Sequence, residues 1–196
     1  TILSGSLNTI NARFISDRIF EKEEEYISSS MFGTVFITSI LSAAILFVFC
    51  TLLYFRYHIS IGFLVGYYLF GIMIANTYSI MTFISAIKEY RKITKAFFIG
   101  ILWAVISFLF VYFLMKIPAL NSFIYSLGTG FLIINLMLIY YIITFFEFSN
   151  KHYFAFMKYY KQYPMLFLSG LFYVIGLYIS NIIYWFFSDI SIKVTI

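Results

Sequence analysis

The chain has 196 residues, of which 63% are apolar and only 11% charged, and its formal net charge is +5. An average soluble protein carries about 25% charged residues, so a surface this poor in charge excludes a water-soluble globule. The positive balance does not point to nucleic acid, because the excess cations sit in short segments between apolar stretches, where membrane topology places them.

Five stretches, roughly 31–55, 60–87, 96–115, 119–147 and 164–187, are each long enough to cross a bilayer as a helix, which takes about 20 apolar residues. A transmembrane barrel needs strands that alternate apolar and polar residues. Runs such as Phe131-Leu132-Ile133-Ile134 are apolar on every side, so helices are expected. From the N-terminus, the Lys+Arg counts of the segments outside these stretches are 3, 1, 4, 1, 3 and 1. The first, third and fifth segments therefore hold ten of the 13 cations. The positive-inside rule assigns those three to the cytoplasm. The predicted architecture is an all-α, polytopic helical membrane bundle.

In chain order, residues 1–30 come first. Ile2 to Ile10 is mildly apolar and reads as the tail of a span belonging to a longer protein. Residues 11–30 carry Arg13, Asp17, Arg18, Glu21, Lys22 and the run Glu23-Glu24-Glu25. Ile10 with Phe14, and Ile15 with Ile19, are spaced by four, which predicts a short amphipathic cytoplasmic helix. Four transmembrane helices fill 31–147. Their connections are an outer turn at Arg56 and His58, a basic inner loop from Lys88 to Lys92, and an outer Lys116-Ile117-Pro118 link whose proline suits a helix start. Residues 148–163 form a cytoplasmic interfacial loop mixing Phe154, Phe156, Tyr159 and Tyr160 with Lys158 and Lys161. A fifth transmembrane helix runs 164–187, with Tyr184 and Trp185 as an outer aromatic belt, and 188–196 is an outer segment.

Small residues recur every four or so positions within the spans: Thr34, Thr38 and Ser42; Gly62 and Gly66; Gly71, Ala75 and Ser79; Ser122, Ser126 and Gly130; Gly176 and Ser180. Such spacing lets helix backbones approach closely in lipid. Asn76 and Asn135 fall near mid-span, and Asn181 lies toward the outer half of the fifth stretch. An amide in hydrocarbon is costly without a partner. Each is expected either to bond across helices or to line a hydrated path for a polar, sugar-like cargo. Tyr78 joins that pathway set, since tyrosine offers a flat apolar face and a hydroxyl to carbohydrate.

The cations Arg13, Arg18, Lys88, Arg91 and Lys92 gather at the predicted inner face as candidate docking residues for a cytosolic partner, or for anionic headgroups. Glu147 stands at the inner end of the fourth span. No cofactor, metal site or catalytic residue is predicted. Cys50 is the single cysteine, His58 and His152 fall on opposite sides of the predicted membrane, and the sequence holds no nucleophile elbow, Walker loop or HExxH.

Three separated segments resemble the PelG family, membrane components of Pel exopolysaccharide export. They are Ala12-Arg13-Phe14-Ile15-Ser16-Asp17-Arg18-Ile19-Phe20, Phe83-Ile84-Ser85-Ala86-Ile87-Lys88-Glu89-Tyr90-Arg91, and Tyr159-Tyr160-Lys161-Gln162-Tyr163-Pro164 followed by Gly170-Leu171-Phe172-Tyr173 and Gly176-Leu177-Tyr178-Ile179-Ser180-Asn181. Ser180 departs from the acidic residue many relatives have there. The resemblance implies part of the two-lobe fold of the multidrug/oligosaccharide-lipid/polysaccharide exporter superfamily. It also implies a place in the bacterial cytoplasmic (inner) membrane, a polysaccharide cargo and, as partners, a cytosolic glycosyltransferase and a membrane cyclic-di-GMP receptor. The alternatives are a lipid-linked oligosaccharide flippase of the same superfamily and, from another class, a membrane-embedded transferase or a scaffold. A transferase would want paired Asp, Glu or His residues near one membrane face.

Overall fold

A computed structural model describes residues 2–85, 88, 90–146 and 152–187. Seven helices follow in order: α1 (Ile2–Phe20), α2 (Glu25–Tyr57), α3 (Ile61–Ser85), α4 (Tyr90–Phe113), α5 (Ala119–Phe145), α6 (Met157–Gln162) and α7 (Pro164–Phe187). Among the described residues there is no strand. Four helices, α2 to α5, are long and apolar enough to cross a membrane. The fifth predicted crossing falls on α7, an apolar helix of 24 residues whose outer side chains lie partly outside the described set. Residues 147–151, with Glu147, and the segment 188–196 also lie outside the described residues.

Two boundaries differ from the hydropathy reading, for one reason. Charge at the end of a helix marks the edge of the hydrocarbon, not the end of the helix. α4 begins at Tyr90, so Arg91, Lys92 and Lys95 ride on its first turns. α2 begins at Glu25, where an acidic first turn suits the positive end of the helix dipole. Its 33 residues exceed what a bilayer core of about 30 Å requires. Its first turns, with Ile27 and Ser28 to Ser30 buried, pack against protein. Likewise α1 runs unbroken from Ile2 to Phe20, joining the expected span tail to the expected amphipathic helix. Of its four patterned residues, Ile10, Phe14 and Ile15 are buried, and Ile19 is exposed.

The helices pack in a row, α2 on α3, α3 on α5 and α5 on α4, while α1 bridges α3 and α7. The contacts are built on small residues. Gly100 of α4 and Gly130 of α5 face each other so closely that a Cβ on Gly130 would stand 2.7 Å from the Gly100 carbonyl oxygen. Ala104 sits beside them, and the stripe Ala96–Gly100–Ala104 is buried. Gly66 of α3 meets Ile124 of α5, and Gly71 meets Leu46 of α2. Gly176 breaks the pattern, since a Cβ there would touch nothing within 4 Å.

The chain turns without glycine. Lys22, His58, Lys88, Lys116 and His152 all adopt positive φ, between 49° and 67°. That conformation disfavours L side chains by roughly 1 kcal/mol. Lys22, His58, Lys88 and Lys116 lie within three residues of a helix C-terminus, where the three lysine charges gain from the negative end of the dipole.

Candidate functional site: a polar seam and an arginine knot

One turn of α3, from Asn76 to Ser79, meets three other helices. On one face the Ser39 hydroxyl and the Asn76 amide bond reciprocally, at 3.1 and 2.9 Å, and Thr38 pairs with Ser79 at 3.0 Å, which ties α3 to α2. On the next face Thr77 donates to Asn135 Oδ1 at 2.7 Å, and Asn135 Nδ2 donates to the Met73 carbonyl at 3.0 Å, which ties α3 to α5. On a third side Asn8 Nδ2 of α1 donates to the Tyr78 carbonyl at 3.0 Å. An amide exposes both a donor and an acceptor, so a single asparagine satisfies two groups of a neighbouring helix where no water reaches.

The seam places the predicted pathway residues unequally. Asn76 and Asn135 are 7% and 5% exposed, with their amides engaged between helices. Tyr78 is 49% exposed and presents its ring outward. The side chain of Asn181 lies outside the described residues. Sequence reasoning missed Asn8 and Asn11, because α1 had been assigned to a tail and a surface helix. Asn11 is wholly buried, and neither atom of its amide has a partner among the described residues. The α4 stripe Ala96–Gly100–Ala104 was missed as well, though its four-residue spacing was available to find it.

A second centre lies where α1, α2 and α6 meet. Arg18 pairs with Glu21 at 2.7 Å and with Glu23, and its guanidinium stacks over Phe14 at 5.5 Å and Tyr26 at 5.3 Å. The Phe14 ring stands edge-on to Tyr159 of α6, with centroids 5.3 Å apart, and Tyr26 lies 4.7 Å from His152. The planar, permanently charged arginine fork is suited to joining carboxylates and ring faces at once. Arg13 similarly pairs with Asp17 at 3.2 Å and approaches the Tyr163 ring.

Burial pushes the phenols of Tyr159 and Tyr160 above their ordinary value near 10, and for Tyr159 the Arg18 charge works against that rise. A raised folded-state value means that the folded form holds the proton more tightly. The stabilisation is therefore complete below pH about 10 and is lost as pH climbs above it. The α6–α1 contact is expected to loosen above that pH, and Tyr160→Phe is expected to move the loss to higher pH. Hydrogen exchange of the α6 amides against pH measures this, and an unchanged profile in the variant would show that Tyr160 is not the group responsible.

The five candidate docking cations are also unequal. Arg13 and Arg18 are ion-paired within the chain, and Lys92 lies over the Phe145 ring. Lys88 and Arg91 are exposed. Among the described residues no group of three His, Cys, Asp or Glu side chains is placed to hold a metal.

The arrangement is that of a helical membrane protein whose spans are keyed together by buried side-chain amides and hydroxyls. The sequence matches the model of the family described as "PelG: Putative exopolysaccharide Exporter (EPS-E)" across residues 1–195. The chain belongs to the PelG family. Neither a curated protein nor a solved structure gives a significant match.

Proposed function

We propose that this chain contributes to the passage by which a Pel-type exopolysaccharide crosses the bacterial cytoplasmic membrane, as a multi-pass, non-enzymatic subunit with its basic helix ends in the cytoplasm. The family match over 1–195 carries this reading. The alternating cation count supports the orientation. The half-exposed Tyr78 ring is the proposed sugar contact, held in place from behind by the Asn76 and Asn135 bonds. Asn181 completes the proposed set on α7. A cytosolic glycosyltransferase and a membrane cyclic-di-GMP receptor are the proposed partners. Arg13, Lys88 and Arg91 are the exposed members of the candidate docking set through which the transferase would meet this face. The two-lobe exporter fold is the proposed setting for these helices.

Deleting the gene is expected to abolish surface polymer, with restoration by the wild-type gene and reduced export by Tyr78→Ala. Normal secretion after deletion would remove the export reading. Loss of a lipid-linked oligosaccharide instead would favour the flippase alternative.

A further inference from the structure

The first turns of α4 present an arrangement the export reading does not use. The face carrying Ile93, Ala96, Phe97, Gly100 and Ala104 turns inward. The opposite face begins with Arg91, Thr94 and Lys95 and becomes wholly apolar at Phe98, Ile99 and Leu102. Tyr90, Arg91, Thr94, Lys95, Phe98 and Ile99 line an open furrow of about 520 Å3. Arg91 and Lys95 are one turn apart, so one anionic group can lie between them. Neither has an ion-pair partner among the described residues, in contrast to Arg13 and Arg18. Phe98 is 67% exposed and Ile99 44%, and both lie deeper along a helix long and apolar enough to span. An occupant that matches this face is anionic at one end and apolar along the rest.

We propose that Arg91 and Lys95 hold the phosphate of an anionic phospholipid, with an acyl chain lying along Phe98, Ile99 and Trp103. Charge complementarity selects the headgroup, and the apolar continuation of the same face selects a lipid over a soluble anion or an acidic protein. The assignment takes Arg91 out of the set that docks a cytosolic partner. It rests on α4 lying in a membrane and is independent of what the protein exports.

Trp103 lies one turn beyond Ile99 and is exposed, so it reports directly on the proposed chain. It is one of two tryptophans, and W185F leaves it alone. The W185F protein is placed in phosphatidylcholine nanodiscs containing a minor fraction of either brominated phosphatidylglycerol or brominated phosphatidylcholine. Two cations near a headgroup favour the anionic lipid by about tenfold or more, so brominated phosphatidylglycerol is expected to quench Trp103 several-fold more strongly. The added R91Q/K95Q change is expected to equalise the two lipids while leaving quenching by brominated phosphatidylcholine unchanged, which shows α4 in place. The added K158Q/K161Q change, which removes the same charge from α6, is expected to keep the preference. Equal quenching in the W185F protein overturns the site, and retention of the preference in R91Q/K95Q does the same. Equal loss in both charge variants reduces the effect to diffuse surface attraction and also overturns it.

Discussion

Replacing Gly130 with leucine is expected to separate α4 from α5 and lower stability by about 3 kcal/mol, the upper range for forcing bulk into a closed contact. The reason is what the new side chain meets. A Cβ at this position lies 2.7 Å from the Gly100 carbonyl oxygen and 2.8 Å from the Ala104 Cβ. A flexible side-chain tip could swing away, but a backbone carbonyl held in a helix cannot. Gly176→Leu is the matched control, since nothing lies within 4 Å of its Cβ position. A change of about 0.5 kcal/mol or less is expected there. Cys50, the only thiol of the chain, reports both through its labelling rate by a fluorogenic maleimide during heating. Equal midpoints for the two variants would show that the α4–α5 approach is not closed.

Arg18→Gln is expected to open the junction of α1 and α2. The substitution removes two ion pairs and two cation–π contacts while leaving Glu21, Glu23, Phe14 and Tyr26 in place. The carboxylates are about half exposed, so the ion pairs contribute less than buried ones would. Each ring contact adds about 0.5–1 kcal/mol. A total of about 2 kcal/mol follows, or about 30-fold in the population of the opened junction. A glutamyl endopeptidase cutting in the 21–25 turn reads that population when reclosing outpaces cleavage. Arg18→Lys keeps the charge but loses the fork, and is expected to recover only part of the protection. Full recovery by lysine would reduce the knot to simple charge pairing.

The helical architecture was legible because a chain crossing lipid must satisfy its backbone internally, and long apolar runs leave little choice of how. The ends of the helices were less legible. Arg91 and Glu25 stop a hydropathy window but not a helix, so α4 and α2 extend beyond their apolar stretches. α1 was divided where the mildly apolar Ile2 to Ile10 gives way to the charges from Arg13 onward, which left Asn8 and Asn11 unremarked. Their neighbours, Tyr78 for Asn8 and a closed environment for Asn11, come from distant sequence. Asn76 and Asn135 could be singled out, but not their partners. Ser39 and Thr77 become partners only once α2 and α5 are known to flank α3 on different faces. The spacing of Arg18 from Phe14 and Glu21 was there to be read, but the meeting of Phe14 with Tyr159 depends on α6 folding back against α1, which no local periodicity encodes.

Both the export role and the lipid site require α4 to pass through the bilayer with its cationic end facing the cytoplasm. A fluorescent-protein or phosphatase reporter fused beside Arg91, and the same pair fused beside Lys116, tests this most directly. Fluorescence without phosphatase activity at Arg91, and the reverse at Lys116, is the predicted result. The same compartment at both positions would contradict it.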